Sequence, residues 1–191
     1  MNETSRAVAI EKAMLLFWKN GYAATTMRDI QRCLDMRPGS VYSAFGGKDE
    51  LYEKSLRLYS DMVLTNICGN FEVASSAIEG LIQSVNFIIF PNNYRPSHIC
   101  FLVKSVTELE SASPYLTGIA LNGLEFVRVE LERQIEQVIK EDKNAQKQDK
   151  TELSILVQSQ IIGLKTMLSL GCSEAQIGGM VSGMIRKIVL S

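Results

Sequence analysis

An all-α fold is the class that the sequence predicts, and three observations support it. Apolar residues make up 46% of the 191 residues and charged residues 21%, so the chain can bury a sizeable core. Only four prolines occur, and three of them lie between residues 91 and 114, which leaves long Pro-free stretches. In these stretches Leu, Glu, Lys, Gln, Ile and Met recur at helical spacing. Together these features predict about nine helices.

The first helix is expected from about residue 5 to residue 20. Apolar residues recur along it at helical spacing and give it one inward face. Gly21 follows its last residue, Asn20, and glycine readily adopts the left-handed conformation that ends a helix. The apolar residues of this face are Ala7, Ile10, Met14 and Phe17.

A second and a third short helix follow, joined by a tight turn. Thr26 and Asp29 have the spacing of a capping box, in which the hydroxyl and the carboxylate each accept a backbone amide, so helix 2 should begin at Thr26. It should end near Leu34 or Asp35. Pro38 is suited to the first turn of a helix, where no amide hydrogen is needed, and helix 3 should run from it to Phe45. Gly46-Gly47 then interrupts the chain.

Six longer helices are predicted in the rest of the chain. Their expected ranges are 48–68, 73–90, 97–110, 113–141, 151–170 and 173–190. Ser113-Pro114 marks the start of one of them, and Ser173 with Gln176 has the spacing of another capping box. The polar stretch from Asp142 to Lys150 is the expected loop.

Several function classes find no support in the sequence. His98 is the only histidine, and neither a phosphate-binding loop, a dinucleotide-binding glycine motif nor a nucleophile elbow occurs, so we expect neither an enzyme, a metal site nor a cofactor. The four cysteines are widely spaced, which is typical of reduced thiols. No apolar run approaches the roughly 18 residues of a membrane helix, and the N-terminus lacks the features of a signal peptide. We therefore expect a cytoplasmic protein.

The charge distribution indicates where an anionic partner could bind. Net charge is −1 over the whole chain. Residues 19–48, however, contain five basic and two acidic residues, which gives this segment a net charge of 5 − 2 = +3. Two helices joined by a tight turn, with a short and small-faced second helix, are typical of a helix-turn-helix that places this second helix in the major groove of DNA. The alternative is an ordinary helical hairpin within a larger α bundle.

A specific set of residues runs through this same region. It includes a glycine–aromatic pair after helix 1, a double threonine, an aspartate–isoleucine pair and a run with small, aromatic and basic residues at fixed spacing. In this sequence these are Gly21-Tyr22, Thr25-Thr26, Asp29-Ile30, Ser40, Tyr42, Phe45, Lys48 and Leu51. From Ala9 to Leu58 the chain thereby resembles the DNA-binding segment of TetR-family transcriptional regulators. Three positions depart from the family pattern, which usually has Ala-Gly where Leu34-Asp35 stands and a small residue where Gln31 stands.

The resemblance implies a set of DNA contacts. Phosphate contacts would come from Thr26, Arg28, Tyr42 and Lys48. The groove would be faced by Arg37, Pro38, Gly39, Ser40 and Ser43, with Arg37 the candidate for reading guanine. Alternatives remain for some of these positions, since Tyr42 could be a core residue and Arg28 could be solvated.

The resemblance also implies a homodimer in which helices 8 and 9 pair with their copies. These helices carry more apolar surface than one core face needs, which independently favours a covering chain. Gly179 and Gly183 would allow a close helix crossing, or they could serve packing within one chain. An unidentified apolar small-molecule effector would bind among helices 4 to 8. Its candidate lining residues, each also compatible with plain core, are Phe87, Phe90, Cys100, Phe101, Val103, Tyr115, Phe126 and Met167.

Cys100 has a second possible role. Some family members sense electrophiles or oxidants through a cysteine near this place, and the alternative is a buried inert thiol. Taken together, the sequence predicts a DNA-binding domain over residues 1–48 and a ligand-binding and dimerisation domain over 49–191. The function expected from the resemblance is a repressor that a small molecule releases from its operator. The alternative is a helical interaction or scaffold protein without sequence-specific DNA binding.

Overall fold

The computed structural model describes residues 2–91, 96–141 and 149–190, and within these ranges the chain forms nine α-helices and no β-strand. The predicted all-α class is thereby confirmed. The expected loop over 142–150 lies outside the described residues except for its last two positions, where Asp149 caps a helix that begins at Lys150. In chain order the helices are α1 Glu3–Asn20, α2 Met27–Leu34, α3 Pro38–Phe45, α4 Lys48–Glu72, α5 Ala77–Ile89, α6 Phe101–Leu109, α7 Pro114–Glu141, α8 Lys150–Ser169 and α9 Glu174–Leu190.

Three predicted helix bounds in the middle of the chain are wrong. Helix α4 does not end before Gly69 but continues to Glu72, because Phe71 packs tightly against Gly80 of α5. Helix α5 begins at Ala77 instead of residue 73, since the hydroxyl of Ser76 accepts the amide of Glu79 and so caps it. Helix α6 begins at Phe101 instead of residue 97. There the hydroxyl of Ser97 accepts the amide of Ile99 and offers the backbone a local alternative to a helix.

The chain divides into two compact units, one formed by residues up to Asp61 together with Cys100–Leu124, the other by the remaining residues. The first unit has an aromatic cluster at its centre. Tyr52 is buried there and meets the rings of Phe17, Tyr22 and Phe101 edge to face, with centroids 4.8, 5.0 and 5.4 Å away. The Tyr52 hydroxyl lies 2.7 Å from the Ser105 hydroxyl, so its polar atom is satisfied as well. Burial raises the pKa of Tyr52 far above its ordinary range.

The second unit has an aliphatic core built from α5, α8, α9 and the later part of α7. Leu131, Ile161 and Val181 are buried members from three of these helices. One buried cation is accommodated beside the core: the Lys165 ammonium donates a hydrogen bond of 2.8 Å to the carbonyl of Ile88, near the end of α5. A cation at a helix C-terminus interacts favourably with the helix dipole. No helix in the described part of the chain is long and apolar enough to cross a membrane.

Candidate nucleic-acid interface

Helix α2 begins with the capping box that the sequence predicts. The Thr26 hydroxyl accepts the amide of Asp29 at 3.2 Å, and the Asp29 carboxylate accepts the amide of Thr26 at 3.0 Å. The same hydroxyl donates to that carboxylate at 2.6 Å. These hydrogen bonds from Thr26 lower the pKa of Asp29. The hydroxyl of Thr26 is therefore engaged in starting α2, whatever further contact the residue makes.

The turn between α2 and α3 depends on a residue in an uncommon conformation. Asp35 has φ 51° and ψ 46°, the left-handed region that glycine usually occupies at such a place, and its amide donates to the carbonyls of Arg32 and Gln31. Aspartate is among the few other residues that adopt this conformation at modest cost. Arg37 is then extended and Pro38 opens α3 at its first position. The departure from the family's usual glycine thus leaves the tight turn intact.

Helix α3 is anchored by two buried side chains and exposes most of the others. Val41 and Phe45 are buried. Gly39 faces open space, and Ser40, Tyr42 and Ser43 are exposed, Tyr42 by 54%. The outward face is consequently small, with Tyr42 as its one large side chain. Small residues on such a face would allow the helix to come close to the base edges in the major groove of DNA.

The joint between α3 and α4 orients Lys48. Gly46 has φ 92°, a conformation that strains residues with a side chain, and its amide donates to the carbonyl of Tyr42. Lys48 is the first residue of α4, and its ammonium lies 4.0 Å from the centre of the Tyr22 ring. Burial, together with the hydrogen bond that the Tyr22 hydroxyl donates to Asp49, raises the pKa of Tyr22 to about 12. Partial burial lowers the pKa of Lys48.

Two surface grooves meet at Met36, on either side of the turn. The first has a volume of about 590 Å³ and is lined by Arg6, Met36, Gly39, Ser40, Ser43 and Ala44. The second has a volume of about 440 Å³ and is lined by Arg28, Gln31, Arg32, Asp35, Met36 and Arg37. The structure therefore brings five of the predicted residues to two adjoining grooves.

Three further polar residues line these grooves, Arg6, Gln31 and Arg32, and none of them is among the predicted contacts. Arg6 is exposed on α1, yet it lines the first groove beside Ser40 and Ser43. Gln31 and Arg32 line the second. Their charge and polarity are visible in the sequence, but the packing of α1 beside α3 is needed to place Arg6 there. With Arg28 and Arg37, four guanidinium groups surround this turn, an arrangement that attracts phosphate.

The eight candidate pocket residues divide between the two compact units. Cys100, Phe101, Val103 and Tyr115 belong to the first, and Phe87, Phe90, Phe126 and Met167 to the second. Phe101 is fully buried in the aromatic cluster, while Phe87 and Phe90 are half-buried against the aliphatic core. By contrast, the side chains of Tyr115, Phe126 and Met167 lie on the surface of the single chain, and the Tyr115 hydroxyl donates to Glu53 at 2.8 Å.

Cys100 lies at the start of α6 as a free thiol. Its sulfur accepts a hydrogen bond of 3.6 Å from the Tyr59 hydroxyl, and Cys100 is partly buried. Burial and the neighbouring thiol raise the pKa of Tyr59 well above its ordinary value. Among the described residues, no cluster of His, Cys, Asp and Glu could hold a metal ion.

Comparison with known proteins agrees with this geometry. Residues 9–54, which include α2 and α3, match the family described as bacterial regulatory proteins, tetR family. Over 126 residues the chain is 28% identical to the biofilm operon icaADBC HTH-type negative transcriptional regulator IcaR of Staphylococcus epidermidis, covering 64% of this chain and 62% of that relative. The chain thus spans less than two thirds of that relative's length.

Solved structures of the same fold cover nearly the whole chain. One is the TetR family transcriptional regulator CifR, a cysteine mutant complexed with double-strand operator DNA, with a TM-score of 0.79, 19% identity and 94% coverage of both chains. Another is a transcriptional regulator of Saccharomonospora viridis in complex with choline, with a TM-score of 0.84, 16% identity and full coverage of both chains. Residues 9–54 thus resemble the tetR family of bacterial regulatory proteins, and the described chain shares the fold of solved TetR-family regulators.

Proposed function

We propose that the protein is a ligand-responsive transcriptional regulator that represses by binding double-stranded operator DNA. The observation that supports this most directly is the exposed face of α3, which combines small residues with a surrounding set of guanidinium groups. A helix that lies in the major groove needs small residues where it comes close and cations where it meets phosphates.

The individual contacts follow from where each side chain lies. Arg37 stands at the start of α3, from which its guanidinium can reach a base edge and bind guanine through two hydrogen bonds. Gly39, Ser40 and Ser43 face the groove, and Pro38 sets the direction in which α3 enters it. Tyr42 and Lys48 flank the joint between α3 and α4, and we assign their polar ends to phosphates, together with Arg28 and the start of α2 at Thr26.

We propose further that α8 and α9 form the dimer interface. Both helices bury one apolar face in the second unit and leave another exposed. Gly179 and Gly183 have no atoms near the position of a β-carbon, so a second chain can approach closely there. The exposed apolar side chains of these helices and of the α8–α9 link are Ile155, Leu156, Met167, Leu170 and Met180. A dimer would place two copies of α3 in successive grooves, about 34–36 Å apart.

The repressor role would end when a small molecule binds among the C-terminal helices. In this proposal residues 1–48 bind DNA, and residues 49–191 bind the effector and the second chain. The neighbour from Saccharomonospora viridis holds choline, and in this chain the aromatic and aliphatic candidates favour an apolar effector. Binding would favour a conformer whose two recognition helices are misplaced for the operator, and the DNA would be released. Helix α4 would transmit this change because Lys48 is its first residue.

The test is DNA binding by the purified full-length protein. A duplex selected from a random library should bind with an affinity that falls steeply with salt, since phosphate contacts release counterions. In the double variant Tyr42→Ala and Lys48→Ala, we expect weaker binding to all sequences and a smaller salt dependence, by about one unit of slope for the lost cation.

A matched control changes the same residue types elsewhere. Tyr115 and Lys140 are exposed on α7, so the double variant Tyr115→Ala and Lys140→Ala should bind DNA as the unmodified protein does. Equal affinities of the two double variants would overturn the assigned contacts. If the unmodified protein selects no duplex and shows no salt-dependent binding, the regulator proposal fails and the scaffold alternative is favoured.

A further inference from the structure

Helix α6 makes polar contacts with the end of α1 that the DNA-binding proposal does not use. The ammonium of Lys104 donates to the carbonyls of Trp18 and Lys19, at 3.1 and 3.0 Å. The last carbonyls of a helix have no partner within it, and a cation there also complements the helix dipole. Lys104 therefore satisfies the C-terminal end of α1 from another helix of the same compact unit.

One turn further along α6, Glu108 contacts the link between α1 and α2. Its two carboxylate oxygens accept the amides of Tyr22 and Ala23, at 3.0 and 2.6 Å. A β-carbon at Gly21 would lie only 2.6 Å from the nearer oxygen, and Gly21 has φ 88°. Glycine at this position thus allows both the turn and the close approach of the carboxylate. Charge-assisted hydrogen bonds of this kind are stronger than those between neutral groups.

Tyr22, whose amide donates to Glu108, also contacts Lys48, which we propose binds a phosphate. The Lys48 ammonium lies over the ring of Tyr22, and the Tyr22 hydroxyl donates a hydrogen bond to Asp49. Its ring also meets Tyr52 edge to face. A displacement of the α1–α2 link would therefore move the surface on which Lys48 rests, at the first turn of α4.

Helix α6 itself is firmly held in this unit. Ser105 lies between Lys104 and Glu108 in sequence, and its hydroxyl is 2.7 Å from that of Tyr52. Phe101, one turn earlier, meets the rings of Tyr52 and Tyr59 edge to face. With α6 fixed against α4 by these buried contacts, Lys104 and Glu108 have defined positions from which to hold the α1–α2 link.

We propose that Lys104 and Glu108 are positioning residues for DNA binding, a two-point polar clamp on the α1–α2 link that keeps Lys48 and the start of α2 in the geometry required by the operator. This inference rests on the proposed DNA-binding function and adds to it two residues from outside the helix-turn-helix segment. In this proposal both residues act through the α1–α2 link and not through a contact with DNA. A conformational change that shifts α6 would reach the DNA-binding surface through these two side chains.

The experiment compares Glu108→Gln and Lys104→Met in the full-length protein. Glutamine retains the size of glutamate but keeps only one acceptor oxygen for two amides, and methionine retains the apolar stem of lysine without the ammonium. We expect each variant to remain folded and dimeric while its affinity for the selected duplex falls on the order of tenfold, since hydrogen bonds to charged groups are lost. Lys104→Arg keeps a donor cation and should restore the affinity.

Trp18 provides a readout that does not depend on DNA. It is the only tryptophan, it is 4% exposed, and its carbonyl accepts a hydrogen bond from Lys104. Its ring also packs edge to face on Tyr59. Release of the clamp should change its fluorescence, with emission shifted to longer wavelength as water reaches the ring. Glu110→Gln is the matched control, because Glu110 is exposed at the end of α6 and the substitution removes the same charge.

The outcomes separate the clamp from the proposed function. Unmodified affinity and unmodified Trp18 emission in both Glu108→Gln and Lys104→Met would overturn the clamp. A loss of affinity equal to that of Glu110→Gln, or one that Lys104→Arg fails to restore, would overturn it as well. If the unmodified protein binds no duplex, the regulator proposal fails and the positioning role fails with it, whereas a Trp18 shift confined to the clamp variants would still establish the contact.

Discussion

Within the described part of the chain, two solvent-exposed surfaces differ in chemistry. The surface around α2 and α3 exposes guanidinium groups and small polar residues, and it contains two shallow grooves. The surface of α8 and α9 exposes aliphatic side chains and glycines instead. The first kind of surface suits a hydrated polyanion, because each contact is a charge or a hydrogen bond that water can substitute in the free state. The second kind suits another protein chain, because it gains only by being covered.

The difference indicates how each surface should respond to substitution. On the polar surface a single side chain has a separable role, since phosphate contacts and base contacts act largely independently. On the apolar surface the contribution is spread over an area, and a specific interface usually covers about 1,200–2,000 Å² in total. A charge placed within such an area should therefore do more damage than the loss of one polar contact.

The largest effect is expected at α9. Met180 is 57% exposed, and Met180→Glu would place an unpaired carboxylate within the proposed dimer interface. Because burying an unpaired charge is costly, the dimer should dissociate roughly 100-fold more readily or worse. Binding to a two-site operator should fall by about 10²–10⁴, since the second recognition helix is no longer linked to the first. Sedimentation and DNA titration measure the two effects.

Val73→Glu is the control for this prediction. Val73 is 81% exposed on the segment before α5, so a charge there should leave both the dimer and DNA binding unchanged. A Met180→Glu protein that stays dimeric at the same concentrations would contradict the assignment of α9 to the interface. It would also remove the contrast between the two surfaces.

A smaller effect is expected at the start of α3. Arg37→Ala should weaken binding to the selected duplex by about 1–3 kcal/mol and relax the preference at one base pair, because the proposed bidentate contact to guanine would be lost. Binding to unrelated DNA should change much less. Arg32→Ala is the comparison, since Arg32 lines the same groove with a side chain 75% exposed and an ion pair of 4.0 Å to Asp29. Equal losses on selected and unrelated DNA would assign Arg37 to phosphate instead.

The smallest effect concerns the two capping boxes, one in each region. Thr26→Ala should lower the free energy of unfolding by about 1 kcal/mol, and Ser173→Ala at the start of α9 should do the same, because each hydroxyl accepts an amide of the first helical turn. Thermal unfolding of the purified variants measures this. Thr26→Ser, which keeps the hydroxyl, should be nearly neutral. A Thr26→Ala protein as stable as the unmodified one would show that the cap is replaced by water.

The same cap has a dependence on pH. The Asp29 pKa is lowered from its ordinary value of 3.8 by the hydrogen bonds from Thr26. A carboxyl group with a lowered pKa stabilises the folded state at pH above the ordinary value, and this contribution is lost as the pH falls below it. The difference in stability between Thr26→Ala and the unmodified protein should therefore shrink below about pH 4.

Local features of the fold could be predicted from the sequence because they depend on neighbours within four residues. The capping boxes at Thr26 and Ser173, the start of α3 at Pro38 and the burial of Val41 and Phe45 are of this kind. The extent of α4 could not be predicted, because Gly69 favours an end, whereas the tight packing of Phe71 against Gly80 of α5 is a contact that the local sequence does not reveal.

The candidate interface divides in the same way. The outward residues of α3 follow from helical spacing, and the resemblance adds roles to them. Arg6 on the first groove and Glu108 on the α1–α2 link were not predicted, because their partners lie far away in sequence, 86 residues away for Tyr22 and Glu108. A charged side chain on a helix gives no signal of which distant amide it will meet.

The attachment of α3 by only two side chains, Val41 and Phe45, has a consequence for the history of the protein. The positions that face outward contribute little to packing, so substitutions there should cost little stability, and under the proposed function they would change which bases are read. Gene duplication followed by changes at a few exposed positions could therefore yield paralogues with new operators and the same architecture.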